Sequence, residues 1–192
     1  MRSIFLLLLT LSRLSFAHDE HGTDLKAKVP ASGASILQLG SVWRNQRGEN
    51  INLADLKGTP RLVVMLFTRC DTACPLIVED LKEITREIDA KRSSKTDVSI
   101  FSLDSFRESP ESLADFSKKR NLPSHWGLYT SNADAVAELA AALGLRYKRL
   151  PDGDFIHSNA IYFLNGKGEV FAQKEGIKSP RTEFIKKILR GF

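Results

Sequence analysis

Residues 62–67, LVVMLF, are an unbroken apolar run that passes through Thr68 and Arg69 straight into CDTACP, and this junction limits the fold more than any other feature. A continuous apolar run of strand length suits a strand buried on both faces. Beyond Pro75 the apolar residues Ile77, Leu81, Ile84 and Ile88 step by four, three and four, which places them on one face of a helix. Residues 98–103, VSIFSL, then supply a second buried strand. Strand, helix and strand with a crossover of this length make a βαβ unit, so the two strands pair in parallel.

The flanking segments extend this unit. Upstream, SILQLGSVWRNQRGENINL holds two short strand-like runs around the turn-forming residues 45–50, which predicts a β-hairpin. Downstream, Ser109, Pro110 and Glu111 start a helix: serine caps, proline suits the first helical position, and a carboxylate favours the positive end. That helix buries Leu113 and Phe116, and another over about 132–143 buries Val136, Leu139 and Leu143 before Gly144 ends it. NAIYFL and EVFAQ flank the turn NGKG, whose glycines read as turn residues because no helix follows within reach to cradle a phosphate. A last helix begins near Ser179-Pro180 and buries Phe184, Ile185, Ile188 and Leu189. A βαβ half joined to a ββα half is the thioredoxin-like arrangement: an α/β fold with a central mixed sheet flanked by helices, here with an N-terminal β-hairpin extension.

The N-terminus carries its own signal. Arg2, the apolar run of residues 4–11 and the small-residue pattern Ser15-Phe16-Ala17 read as a signal peptide, 1–17, cleaved after Ala17. The competing reading is an uncleaved anchor, but a span needs about 20 apolar residues, and Arg13 interrupts the run first. Residues 18–34 are polar, rich in small residues and without periodicity, a flexible leader, so the folded domain is expected over 35–192. Loss of Arg2 and Arg13 takes the 28 basic residues to 26 against 23 acidic ones, a net charge of +3 that argues against nucleic acid as a partner. The location expected is periplasmic or otherwise exported, with no stable membrane span after cleavage.

Cys70 and Cys74 are the only two cysteines. At a strand-to-helix junction, Asp71 or Thr72 is expected to cap the helix, with Pro75 in its first turn. Both sulfurs then sit at the positive end of a helix, where thiolate is favoured. Residues four apart share a helical face with side chains about 5 to 6 Å apart, close enough to form a disulfide or grip one metal ion. A purely structural disulfide is the alternative that export allows. It would close a five-residue loop, worth roughly 2 kcal/mol by chain entropy, which a domain of this length hardly needs.

Metal binding calls for a further ligand, and the histidines are His18, His21, His125 and His157. His157, in DFIHSNAIYFL, precedes a core strand where a thioredoxin-like fold brings a loop beside the thiols. Two thiolates and one imidazole suit Cu(I), and the imidazole makes the site acceptable to Cu(II) as well. Structural zinc normally takes four protein ligands, and no fourth is evident. His125 with Trp126 fits a loop packed on the core, Met65 fits the core, and His18 and His21 near a new N-terminus form a second, looser copper candidate.

With these residues in place, the chain resembles the Sco/SenC family of copper-binding, thioredoxin-like proteins that serve cytochrome c oxidase assembly. The resemblance covers about residues 36–188. The family's cysteine pair followed by proline stands as TRCDTACP and its distal histidine as FIHSN. Between them Asp104, Arg107, Glu108, Ser109 and Pro110 match a further motif in which Ser105 replaces a proline, and HWGLYTSNADAVAELAAALGLRY resembles the segment that follows. The family often has aspartate immediately before its histidine; here that position is Ile156, with Asp154 nearby, which bears on how the imidazole is oriented.

The resemblance implies copper held by Cys70, Cys74 and His157. The cargo is delivered to, or the thiols are maintained at, the binuclear site of a CuA-bearing cytochrome c oxidase subunit or a similar copper enzyme. A thiol reductase is a further candidate partner, and the chain reads as a metallochaperone more than an enzyme. The alternative is a periplasmic thiol-disulfide oxidoreductase that uses the redox-active disulfide Cys70/Cys74 without metal. Against it stand the three-residue spacing, where exchangers usually have two, and FIHSN, which has no proline where thioredoxins carry one facing the thiols. A peroxidase of the same fold lacks its usual threonine and arginine partners, and a copper-binding module with no recipient stays open.

Overall fold

A computed structural model describes residues 34–191. The signal-peptide and leader assignments, and with them His18 and His21, lie outside the described residues. The strands are β1 (Val42–Asn45), β2 (Asn50–Asn52), β3 (Arg61–Leu66), β4 (Asp97–Ser102), β5 (Gly127–Thr130), β6 (Tyr147–Arg149), β7 (Phe155–His157), β8 (Ala160–Leu164) and β9 (Val170–Glu175). The helices are α1 (Ala73–Asp89), α2 (Pro110–Lys119), α3 (Ala133–Leu143) and α4 (Thr182–Gly191). Seven strands make one sheet in the order β2-β1-β5-β4-β3-β8-β9, while β6 and β7 form a separate hairpin.

The apolar runs land where burial demands. β3 pairs in parallel with β4, Leu62 against Val98, and antiparallel with β8, Leu62 against Phe163. Alternate β3 side chains serve two cores. Leu62, Val64 and Leu66 pack with α1, α2 and α4, whereas Val63 and Met65 face α3 and the Trp43–Phe101 pair. Ile77, Leu81, Ile84 and Ile88 of α1 are all buried against the sheet. Each such side chain contributes about 1.5–3 kcal/mol relative to exposure. The expected N-terminal hairpin is β1–β2, and it extends the main sheet because β1 pairs antiparallel with β5, Arg44 against Thr130. The mixed sheet flanked by helices is the thioredoxin-like architecture.

Two elements were not foreseen. β5 lies between α2 and α3 and joins the hairpin extension to β4. The β6–β7 hairpin replaces what reads in sequence as a loop ahead of β8. The helix starts follow their signals more closely. Ser109 caps α2 by accepting the Ser112 N–H at 3.2 Å, and the Ser112 hydroxyl accepts the Ser109 N–H at 2.9 Å. Ser109→Ala is therefore expected to lower stability by about 1 kcal/mol, read as a lower urea midpoint with an unchanged slope.

α4 packs through Phe184, Ile185 and Ile188, and a buried ion pair ties α1 to β9 just ahead of it. Asp80 of α1 and Lys174 of β9 meet at 2.8 Å with almost no exposure of either side chain. The Lys178 N–H donates to the same carboxylate at 3.2 Å. Arg181, ahead of α4, reaches Glu83 at 2.7 Å and Glu87 at 2.6 Å on the surface of α1. Among the described residues, no helix is long and apolar enough to cross a membrane.

Candidate metal and thiol site

The loop from β3 turns tightly enough to bring Cys70 beneath the first turn of α1, where its amide donates to the Phe67 carbonyl at 3.3 Å. Thr72 occupies the cap position, yet neither it nor Asp71 supplies the expected capping bond: Thr72 has helical dihedrals and makes no side-chain cap. The Cys70 Sγ takes that role and accepts the Cys74 N–H at 3.3 Å. A sulfur at the end of a helix is thereby surrounded by donors, which is where a thiolate is stabilised.

Both thiols are free, and their environments push them apart. The hydrogen bond from the Cys74 thiol pulls Cys70 down to about 5, burial opposes this, and the amides of Cys74, Thr72 and Ala73 assist it. Cys74 is pushed up because its proton is the one donated to Cys70, with burial and the Cys70 charge adding to the effect. The pair therefore carries one thiolate, on Cys70. Cys70 retains 8 % exposure and Cys74 0 %, so a reagent meets Cys70 first.

His157 closes β7, paired with Tyr147 across the hairpin. Its ring stands edge-to-face on Phe67, with centroids 6.2 Å apart, and Phe67 also packs on Phe155 at 5.3 Å. Nδ1 lies 3.1 Å from the Ser158 carbonyl. A carbonyl only accepts, so Nδ1 carries the proton and the neutral ring leaves Nε2 with a free lone pair. Burial pushes the His157 pKa down, against smaller upward effects of that carbonyl and of Cys70. The group orienting the imidazole is thus a backbone carbonyl, and Ile156 is among the residues that line the cleft.

Cys70 and His157 share a cleft of about 350 Å³ with Phe67, Asp71, Ile156 and Asn159. Cys74 lies beneath Cys70 rather than on the cleft surface. A roomier hollow of about 500 Å³ at the far end of α1 is lined by Lys82, Arg86, Asp89 and Lys95 and has neither thiol nor imidazole. Cys70 and His157 on the smaller cleft, with the Cys74 sulfur behind them, make a set of two sulfurs and one unprotonated nitrogen that fits a soft metal of low coordination number. Among the described residues no group of three or more His, Cys, Asp or Glu side chains is already gathered for a metal, so these donors share a cleft without forming a finished cage. His125 is exposed beside the buried Trp126, as expected of a loop residue.

Sequence reasoning named Asp104, Arg107 and Glu108 only as matches to a motif, without a role. Glu108 accepts from both the Thr68 hydroxyl, at 2.6 Å, and the Thr68 N–H, at 3.1 Å. Arg107 binds the buried Asp104 and the Gly153 carbonyl. The signal that would have exposed the hairpin they contact is the turn sequence Pro151-Asp152-Gly153 between two short runs.

The family model for SCO1/SenC matches residues 42–190. The chain belongs to the SCO1/SenC family. It is 26 % identical over 141 residues to the SCO1 protein homolog of Bacillus subtilis (strain 168), covering 71 % of this chain and 72 % of that protein. Among solved structures, Arabidopsis thaliana ScoI with copper bound superposes with a TM-score of 0.69 at 16 % identity, covering 78 % of this chain and 96 % of that one. BsSco, a member of the Sco family of cytochrome c oxidase assembly proteins in which a disulfide switch was identified, gives 0.68 at 22 % identity, covering 86 % and 96 %. At these identities the structural likeness establishes the SCO1/SenC fold, and the roles of individual residues rest on the geometry above.

Proposed function

We propose that this SCO1/SenC protein is an exported copper metallochaperone whose cargo is held by Cys70, Cys74 and His157 and passed to the binuclear copper site of a cytochrome c oxidase subunit or a similar copper enzyme. The observation that carries this reading is that Cys70, as thiolate, and His157, with its Nδ1 on the Ser158 carbonyl and its Nε2 unprotonated, line one cleft, with Cys74 hydrogen-bonded to Cys70. An exchanger of disulfides needs only the two sulfurs. A neutral histidine presented beside them adds what copper requires and disulfide chemistry does not. Copper bound to a relative of this fold supports the choice of metal.

Titration of the reduced protein with Cu(I) and Cu(II), against His157→Ala and Cys70→Ala, tests it. One tightly held copper is expected, with a sulfur-to-Cu(II) charge-transfer band that disappears in both variants. If His157→Ala kept the native band and stoichiometry, the three-ligand site would be wrong.

A second reading has its own support, because a low-pKa thiolate backed by a buried thiol is the equipment of a thiol-disulfide reductase. Rapid reduction of a generic disulfide by copper-free protein, unaffected by His157→Ala, would favour it. Under either reading the oxidised pair is the state that cannot hold metal, since a disulfide offers no thiolate.

A further inference from the structure

The β6–β7 hairpin carries His157 but makes no strand pairing with the main sheet, to which the cysteine loop belongs. A two-stranded hairpin alone is marginally stable in water. Phe155 and His157 pack on Phe67, and polar contacts from outside the hairpin add to that hold.

The turn between β4 and α2 supplies contacts in both directions. On one side, the Glu108 carboxylate takes both donors of Thr68, two residues before Cys70. On the other, Arg107 donates to the Gly153 carbonyl at the tip of the hairpin and stands 3.8 Å from Asp154. The Arg107 side chain is itself fixed by Asp104, which is wholly buried and accepts the Arg107 and Phe106 N–H groups through Oδ1. A second strap runs alongside, where the Arg149 guanidinium lies 5.0 Å over the Phe106 ring. The fit at Gly153 is close: its φ is +89°, and a Cβ there would stand 3.0 Å from Arg107 Nη1.

Resting on the reading that Cys70, Cys74 and His157 act as one site, we infer that residues 104–108 are a positioning bracket. Glu108 grips the cysteine loop, Arg107 grips the histidine hairpin, and the rigid turn between them sets the separation of sulfur from imidazole. Neither residue is a ligand. The bidentate reach of a guanidinium is what lets one side chain hold a buried carboxylate and a carbonyl on another element at once.

The test begins with amide hydrogen exchange on reduced, copper-free protein. Arg107→Gln is expected to speed exchange about 10-fold or more at the hairpin amides of Leu150, Gly153 and Ser158, while Leu103, bonded to Leu66 at the sheet, keeps its native rate. Added Cu(II) should then bind Arg107→Gln at unchanged stoichiometry but about 10-fold more weakly. Unchanged hairpin exchange in Arg107→Gln overturns the bracket, and so does equal acceleration across hairpin and sheet, which is plain destabilisation. The exchange measurement contains no metal, so it decides the bracket even if the native chain took up no copper; conversely, native copper binding with unaltered exchange would leave the site standing and remove the bracket.

Discussion

Lys174→Met should cost the fold about 3–5 kcal/mol, the usual penalty for removing one partner of a buried ion pair. The cause lies less in the lost attraction than in what remains. Asp80 is left buried with the Lys178 N–H and with Arg181 no nearer than 3.9 Å, too little to replace the hydration it gave up. The Lys174 ammonium also donates to the Gly176 carbonyl at 2.9 Å, so the variant loses a second bond in the turn that leads to α4. Replacing both partners, as in Asp80→Leu with Lys174→Met, removes the stranded charge and should recover most of the loss. Urea unfolding of the native protein and the two variants measures this. A double variant no more stable than Lys174→Met would show that the pair contributes more than mutual neutralisation.

The second large effect concerns the pH profile of Cys70. An ordinary thiol near 8.5 is only about 3 % ionised at pH 7, and its reaction with a disulfide rises about tenfold per pH unit up to that point. Cys70, held at about 5, is already ionised there, so its rate with a small aromatic disulfide should be flat above pH 6 and fall only below about 5. The absolute rate at pH 7 is expected to be unremarkable. A thiolate of low pKa is intrinsically weaker, with a Brønsted slope of about 0.4–0.5, and this roughly cancels the gain in ionised fraction. The knee of the curve, not its height, is the diagnostic quantity. Cys74→Ala removes the hydrogen bond that contributes most, so the knee should move upward; a knee that stayed in place would assign the effect to the helix amides alone.

The same shift enters stability. Between about pH 5 and 8.5 the unfolded chain holds the Cys70 proton and the folded chain does not, so reduced protein should gain stability as pH rises through that window. Above about 8.5 Cys74 works in the opposite sense, because unfolding then releases a proton that the native state keeps.

How much of this was legible beforehand follows from the range of the forces involved. β3, α1 and β4 could be read because LVVMLF and VSIFSL are apolar throughout and because Ile77, Leu81, Ile84 and Ile88 keep helical spacing; these are local patterns made by burial. β5 could not. It has four residues and opens on Gly127, where a Cβ would collide with the Tyr129 hydroxyl at 2.1 Å, and its pairing with β1 and β4 is long-range. β6 was hidden for a different reason: Lys148 and Arg149 are exposed, so no apolar alternation marks the strand. Cys70, Cys74 and His157 were found as donors from their residue types and positions. The sulfur's role as a helix cap and the links through Thr68, Glu108, Arg107 and Gly153 depend on how three loops meet, which residue spacing alone does not encode.

The sheet order also constrains the sequence of events in folding. β3 is an interior strand between β4 and β8, and its first residue, Arg61, pairs with Asp97 on one side and with Leu164 on the other. A growing chain can form β3, α1 and β4 early, but one edge of its most apolar strand stays open until residues beyond 160 arrive. Closure by distant partners is slow and leaves backbone donors and acceptors available to other chains meanwhile. The vulnerable species is therefore a half-made sheet that already contains Cys70 and Cys74 but has no histidine hairpin above them, so during maturation these thiols are open to wrong partners before the finished cleft can shelter them.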